Sequence, residues 1–159
     1  MITINIDGAS RSNPGIGASA WVIKDAKGVV LAKEGVFFPL CTNNQAEFTA
    51  LKLALLAAKH LGANEIKVLS DSLLLVKQYG GEYKIKNPEL KELMSQIKRA
   101  AGAFKKVILT HVPREKNKEA DLMCNITMDN KKDTSLVTPA AAAAKKETLP
   151  KGQLELFDL

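Results

Sequence analysis

The chain opens on alternation. Ile2, Ile4 and Ile6 alternate with Thr3 and Asn5, the period of a half-buried strand, and the run ends at Asp7. GASRSNPGIG is turn chemistry. Residues 17–25 and 29–38 predict two more strands joined at Lys27–Gly28, and the three together predict an antiparallel meander. The period then changes. Thr42-Asn43-Asn44 is a helix start, Leu51, Ala54, Leu55, Ala58 and Leu61 recur at helical spacing, and Gly62 ends the helix. Glu65–Ser70 is a short strand whose apolar run predicts burial on both faces. Asp71–Tyr79 predicts a short helix, Gly80–Asn87 a basic connector, Pro88–Ala101 a second helix, Lys106–His111 a strand and Glu115–Met128 a last helix. Three strands followed by αβ, α, α and βα predict an α/β fold with a mixed sheet.

After about residue 130 the pattern lapses. Residues 131–152 carry no apolar period beyond a run of alanines and read as a linker. Residues 153–159 then turn abruptly apolar. The expected organisation is a domain over 1–130, a linker over 131–152 and a terminal peptide over 153–159.

Composition narrows the classes. Apolar residues make up 46% of the 159 residues, enough for a core. Cys41 and Cys124 match neither zinc spacing nor a CxxC motif. Two reduced, buried thiols fit a cytoplasmic setting. No secretory leader is visible, and the apolar stretch 50–61 carries Lys52, Lys59 and His60, which argues against a membrane span. A net charge of +6 suits a polyanionic partner. Aromatics at 5% do not advertise a base-stacking surface.

Four acids carry the candidate chemistry. Asp7 and Asp71 each sit where a predicted strand ends. If those strands are parallel neighbours, both carboxylates emerge at the sheet edge where open α/β folds place their sites. Glu47 lies four and eight residues before Leu51 and Leu55, so it heads the apolar stripe of its helix. A carboxylate aimed at the sheet needs a partner, and a cation is the simplest. Asp121 borders the stripe of Ala120, Met123 and Cys124. Each acid also has a plain structural use: a turn at Asp7, a helix cap at Asp71, dipole contact at Glu47, solvent at Asp121. The set is what points to hard oxygen coordination of magnesium or manganese.

Taken together, Ile6-Asp7-Gly8-Ala9-Ser10 with Asn13-Pro14-Gly15, Thr42-Asn43-Asn44-Gln45-Ala46-Glu47, Leu69-Ser70-Asp71-Ser72 and Asn117-Lys118-Glu119-Ala120-Asp121 resemble type 1 ribonuclease H over about residues 1–130. The resemblance implies a five-stranded mixed sheet flanked by helices. It implies a metal-dependent endoribonuclease that cuts the RNA strand of RNA–DNA hybrids with two Mg2+ ions, Mn2+ as substitute, leaving 5′-phosphate and 3′-hydroxyl ends. Asp7, Glu47, Asp71 and Asp121 would be the catalytic metal ligands. Gly8, Ser10, Asn13, Asn43 and Asn44 would touch the hybrid, and Thr42 a DNA phosphate; amides both donate and accept and so suit 2′-hydroxyls. A non-catalytic hybrid-binding module on the same fold is the alternative, and a DNA resolvase of the same superfamily a further one.

Departures from the family pattern are specific. The loop Val112–Lys116 has no histidine; Arg114 is the candidate to meet a phosphate there, and His111 reads as a strand-end residue. Leu73 stands where many relatives have glutamine. The long basic protrusion is missing, with Lys77, Lys84, Lys86, Lys98 and Arg99 available as substitutes. At the far end, Gln153, Leu154, Leu156 and Phe157 resemble the bacterial sliding-clamp binding motif, in which apolar anchors on a tether dock in a cleft.

Overall fold

The structure is a computed structural model that describes residues 1–137. Strands β1 (Ile2–Ser10), β2 (Gly15–Lys24) and β3 (Val30–Cys41) are followed by α1 (Asn43–His60), β4 (Glu65–Ser70), α2 (Leu73–Tyr79), α3 (Pro88–Ala101), β5 (Lys106–His111), α4 (Lys118–Asn130) and β6 (Thr134–Val137). They form one sheet in the order β5-β4-β1-β2-β3-β6. The meander β1-β2-β3 is antiparallel, and β4 and β5 add in parallel beside β1. The expected mixed α/β sheet is therefore present, with six strands instead of five. The sixth arises inside the segment read as a linker. Thr134–Val137 pairs antiparallel with Ala32–Gly35, and the Asp133 carboxylate accepts from the Phe37 N–H at 2.8 Å.

Helix α1 lies in the main core. Ile4, Ile6, Ile23, Ile66 and Val68 of the sheet meet Leu51, Ala54, Leu55 and Ala58 of α1, and Leu90, Leu93 and Ile97 of α3 close over it. Covered by the sheet on one side and α3 on another, α1 is buried at nearly every position from Ala46 to Ala58. Its start is the one expected: the Thr42 hydroxyl accepts from Gln45 N–H, and the Gln45 side chain accepts from Thr42 N–H. Its end is a left-handed glycine, Gly62, with φ of +82°. Helix α4 packs on the opposite face, with Ala120, Met123, Cys124 and Met128 against Ala18, Ala20 and Val22.

Three local expectations shift. Strand β4 is not buried on both faces: Ile66, Val68 and Ser70 are buried while Glu65 and Lys67 are exposed, because α4 covers β1–β3 and stops short of β4. The α2 cap is Ser72, whose hydroxyl accepts from Leu75 N–H, so Asp71 is not used as a cap. The last helix begins at Lys118, after a separate 3-10 turn at Arg114–Lys116. Among the described residues no helix is long and apolar enough to cross a membrane.

Candidate active site

The parallel register between β1 and β4 ends at Ile6 opposite Ser70. Asp7 and Asp71 thus follow the last residues paired between β1 and β4. Strand β4 ends just before Asp71 as the sequence predicts, whereas β1 runs past Asp7 along β2 to Ser10. Helix α1 brings the third acid. A Cβ on Gly8 would lie 2.2 Å from the Ala46 carbonyl carbon and 2.4 Å from the Glu47 nitrogen, so the first turn of α1 rests directly on bare backbone. The Ser19 hydroxyl, beside Gly8 on β2, donates to the Ala46 carbonyl at 2.6 Å and fixes that contact. Asp7, Glu47 and Asp71 each offer a carboxylate oxygen, and these oxygens lie within 4.8 Å of one another. Asp121, the acid hardest to orient from sequence, lines the same cleft as the trio, and its charge bears on Asp7.

The electrostatics are those of a site built for a positive guest. Asp7 is 5% and Glu47 6% exposed. Burial, then the charges of Asp71 and Asp121, push the Asp7 carboxyl up to about 7. Burial also raises Glu47 well above the ordinary carboxylate range, with Asp7 and Asp71 adding to it and the Gly8 N–H opposing it. One Glu47 oxygen, Oε2, is buried with no hydrogen-bond partner. An orphaned carboxylate oxygen among further carboxylates costs free energy unless a proton or a cation sits there. The donor set is all oxygen, so a hard divalent cation fits it.

The four acids, with Gly8, Asn43 and Arg114, line one cleft of about 360 Å³. Arg114 therefore reaches the site; His111, exposed at the end of β5, does not line the cleft. A second hollow of about 430 Å³ is lined by Asn13, Thr42, Asn43 and Asn44. Asn43 belongs to both. The Asn13 side chain accepts from the Asn43 N–H at 3.1 Å, and that of Asn43 from the Ser10 N–H at 3.4 Å. The Ser10 hydroxyl is buried without a partner. Sequence reasoning missed Asn87 and Glu89, which line the same hollow. Asn87 reads from sequence only as the last residue of the connector; in the structure its side chain caps α3. Leu73 is 45% exposed at the start of α2. Of the proposed substitute cations, Lys77 pairs with Glu82, and Lys98 donates to the Tyr79 carbonyl over its ring; Lys84, Lys86 and Arg99 are exposed. Gln153, Leu154, Leu156 and Phe157 lie outside the described residues.

A sequence model of the reverse transcriptase-like family matches residues 5–127. The crystal structure of RNase H1 from the halophilic archaeon Halobacterium salinarum superimposes with a TM-score of 0.79 at 36% identity, covering 81% of this chain and 98% of that one. The chain belongs to the ribonuclease H-like family. Other ribonucleases H resemble it as closely. The N-terminal RNase H domain of a bifunctional protein from Mycobacterium tuberculosis has a TM-score of 0.78 at 37% identity, over 90% of this chain and 97% of that one. LC11-RNase H1, solved in complex with an RNA/DNA hybrid, has a TM-score of 0.78 at 36% identity, over 82% and 99%. Among curated relatives, Ribonuclease HI of Halobacterium salinarum is 38% identical over 124 residues. That match spans 62% of the relative's length, and a match to the mycobacterial bifunctional protein spans 35% of it.

Proposed function

We propose that this protein is an endoribonuclease that hydrolyses the RNA strand of RNA–DNA hybrids, leaving 5′-phosphate and 3′-hydroxyl ends. The observation that carries the reading is the convergence of Asp7, Glu47 and Asp71, with Asp121 beside them, next to an amide-lined hollow. Asp7, Glu47, Asp71 and Asp121 would hold two magnesium ions, with manganese as a substitute. When bound, those ions supply Lewis acidity at the phosphodiester. The chain's own groups do the positioning. Asn13, Asn43 and Asn44 present amides that suit 2′-hydroxyls. Gly8 lines the acid cleft, and the Ser10 N–H donates to Asn43, the residue common to both hollows. Thr42 faces a DNA phosphate, and Arg114 offers a guanidinium to a phosphate at the mouth of the acid cleft.

The resemblance to LC11-RNase H1, whose complex holds an RNA/DNA hybrid, supports the choice of substrate. The presence of all four acids favours an enzyme over a binding module. A labelled RNA–DNA hybrid incubated with and without magnesium, beside duplex DNA and duplex RNA, tests the proposal. Magnesium-dependent cleavage of the hybrid alone is expected; cutting of duplex DNA, or none at all, rejects it.

In this reading residues 1–130 form the catalytic domain, 131–152 a linker that begins by closing the sheet edge with β6, and 153–159 a clamp-binding peptide. Cytoplasmic action suits the two free, buried thiols. The clamp reading rests on Gln153, Leu154, Leu156 and Phe157 alone. A pull-down with a bacterial sliding clamp, repeated with Leu156→Ala and Phe157→Ala together, tests it: binding lost in the double variant supports the motif, and binding unchanged rejects it.

A further inference from the structure

The first and last acids of the site are joined through a pair of amides, Asn117 buried and Asn5 half-buried. Asn117 stands at the N-terminal cap of α4, where an asparagine side chain ordinarily accepts from the free N–H groups of its own helix. It makes no such bond. Its side chain, in a residue 1% exposed, turns into the sheet instead. There Nδ2 donates to the Ile6 carbonyl at 2.8 Å, and Oδ1 accepts from Asn5 Nδ2 at 3.1 Å. Ile6 immediately precedes Asp7 and is the last β1 residue in register with β4. On the helix side, the Asp121 N–H donates to the Asn117 carbonyl at 3.1 Å. Asp7 is thus one peptide bond from the carbonyl that the Asn117 amide holds, and Asp121 is tied to the Asn117 main chain by the first helical hydrogen bond of α4.

The rest of the α4 seat is mostly apolar, with Ala120, Met123, Cys124 and Met128 on Ala18, Ala20 and Val22. The Cys124 thiol adds only long bonds, donating to the Asp7 carbonyl at 3.4 Å and to the Ala18 carbonyl at 3.6 Å. The Glu119 contacts with Lys24 and Lys33 are partly exposed and open to screening. A short, buried, well-aligned amide bond fixes the register that apolar packing leaves loose.

We infer that Asn117, oriented by Asn5, is a positioning residue that sets Asp121 against Asp7 and thereby raises the affinity of the acid cluster for a divalent cation. This rests on the cation reading proposed above. Outer partners of metal ligands commonly alter metal affinity or activity about 10–100-fold when removed.

The test is calorimetric titration of manganese into the wild-type protein, Asn117→Ala, Asn5→Ala, Asp121→Asn and the Asn117→Ala/Asp121→Asn pair, with thermal unfolding of each in the absence of metal. Asn117→Ala should weaken binding about tenfold, and Asn5→Ala less. The double variant should bind no more weakly than Asp121→Asn alone, because the amide acts through that acid. Asn5→Ala leaves the buried Asn117 bond in place and carries the test should Asn117→Ala not fold. Two results overturn the proposal: variants that lose thermal stability yet bind the ion as the wild type does, or an equal tenfold loss with and without the Asp121 carboxylate. If the wild-type protein binds no ion, the cation reading itself fails.

Discussion

Asp7 concentrates the conflict at the residue scale. Its carboxyl binds a proton more tightly in the folded chain, where the value is about 7, than at its ordinary 3.8. Such a group favours the fold most below pH 3.8, and that contribution is lost as pH rises through about 7. In a chelator, the melting temperature of the wild-type protein should therefore fall between about pH 5 and pH 8, and magnesium should restore part of it. Asp7→Asn should abolish cleavage yet flatten this pH dependence. At pH 8 without metal it should be the more stable protein by at least about 1.4 kcal/mol, the equivalent of one tenfold change in proton affinity. Melting curves across that range decide it; an Asn variant less stable than wild type would sink the electrostatic account. Gly8→Ala makes the opposite point. Its methyl would lie 2.2 Å from the Ala46 carbonyl carbon, against backbone that cannot rotate away. A loss of roughly 1–3 kcal/mol in urea unfolding is expected, with the activity falling as Glu47 is displaced. Much of this site was legible beforehand. Asp71 was readable as a strand end and Glu47 from its spacing to Leu51 and Leu55. Asp7 reads as a strand end too, although β1 runs on along β2 to Ser10 and only its pairing with β4 stops before Asp7. Asp121 was readable only from the family resemblance, because it borders the stripe of Ala120, Met123 and Cys124 instead of lying on it, and the nearest tie to the sheet is the Asn117 contact with a strand more than a hundred residues away.

At the scale of elements, the strands and helices that carry a clear period lie close to where the pattern put them, from β1 through α4. Two of the failures share a cause, in that each depends on what covers the element and not on the element itself. EIKVLS reads as apolar enough for two buried faces, yet α4 reaches only β1–β3 and leaves the Lys67 face open. Strand β6 is four residues long, too short to show alternation, and its side chain at Leu136 is 64% exposed. It exists because β3 would otherwise offer an unpaired edge and because flanking contacts hold it. The Asp133 carboxylate takes the Phe37 N–H, and the Thr127 and Thr134 hydroxyls lie 3.2 Å apart. A chain ended after Asn130 should accordingly unfold at lower urea than one ended after Val137, by about 2 kcal/mol given about 1 kcal/mol for each hydrogen bond. Equal midpoints for the two would mean that β6 contributes nothing to the domain.

For the molecule as a whole, charge decides how the site meets its substrate. The acid cluster repels a phosphate backbone until cations neutralise it, so attraction must come from elsewhere on a chain of net charge +6. Lys84 and Lys86, exposed on the connector before α3, and Arg114 at the cleft are candidates for it. Each phosphate neutralised releases condensed counterions, and binding weakens with salt by a slope of roughly −0.9 per phosphate on duplex DNA. With three such contacts, raising salt from 50 to 200 mM should weaken hybrid binding by the Asp7→Asn protein about 40-fold. Replacing Lys84 and Lys86 together by alanine should flatten that slope by nearly two phosphates' worth while leaving the preference for hybrid over duplex DNA intact, since in the proposed reading amides and not lysines meet the 2′-hydroxyl. Fluorescence anisotropy across a salt series measures both quantities at once. An unchanged slope would place the electrostatic contacts on another face, and a lost preference would move sugar recognition from Asn13, Asn43 and Asn44 to the connector.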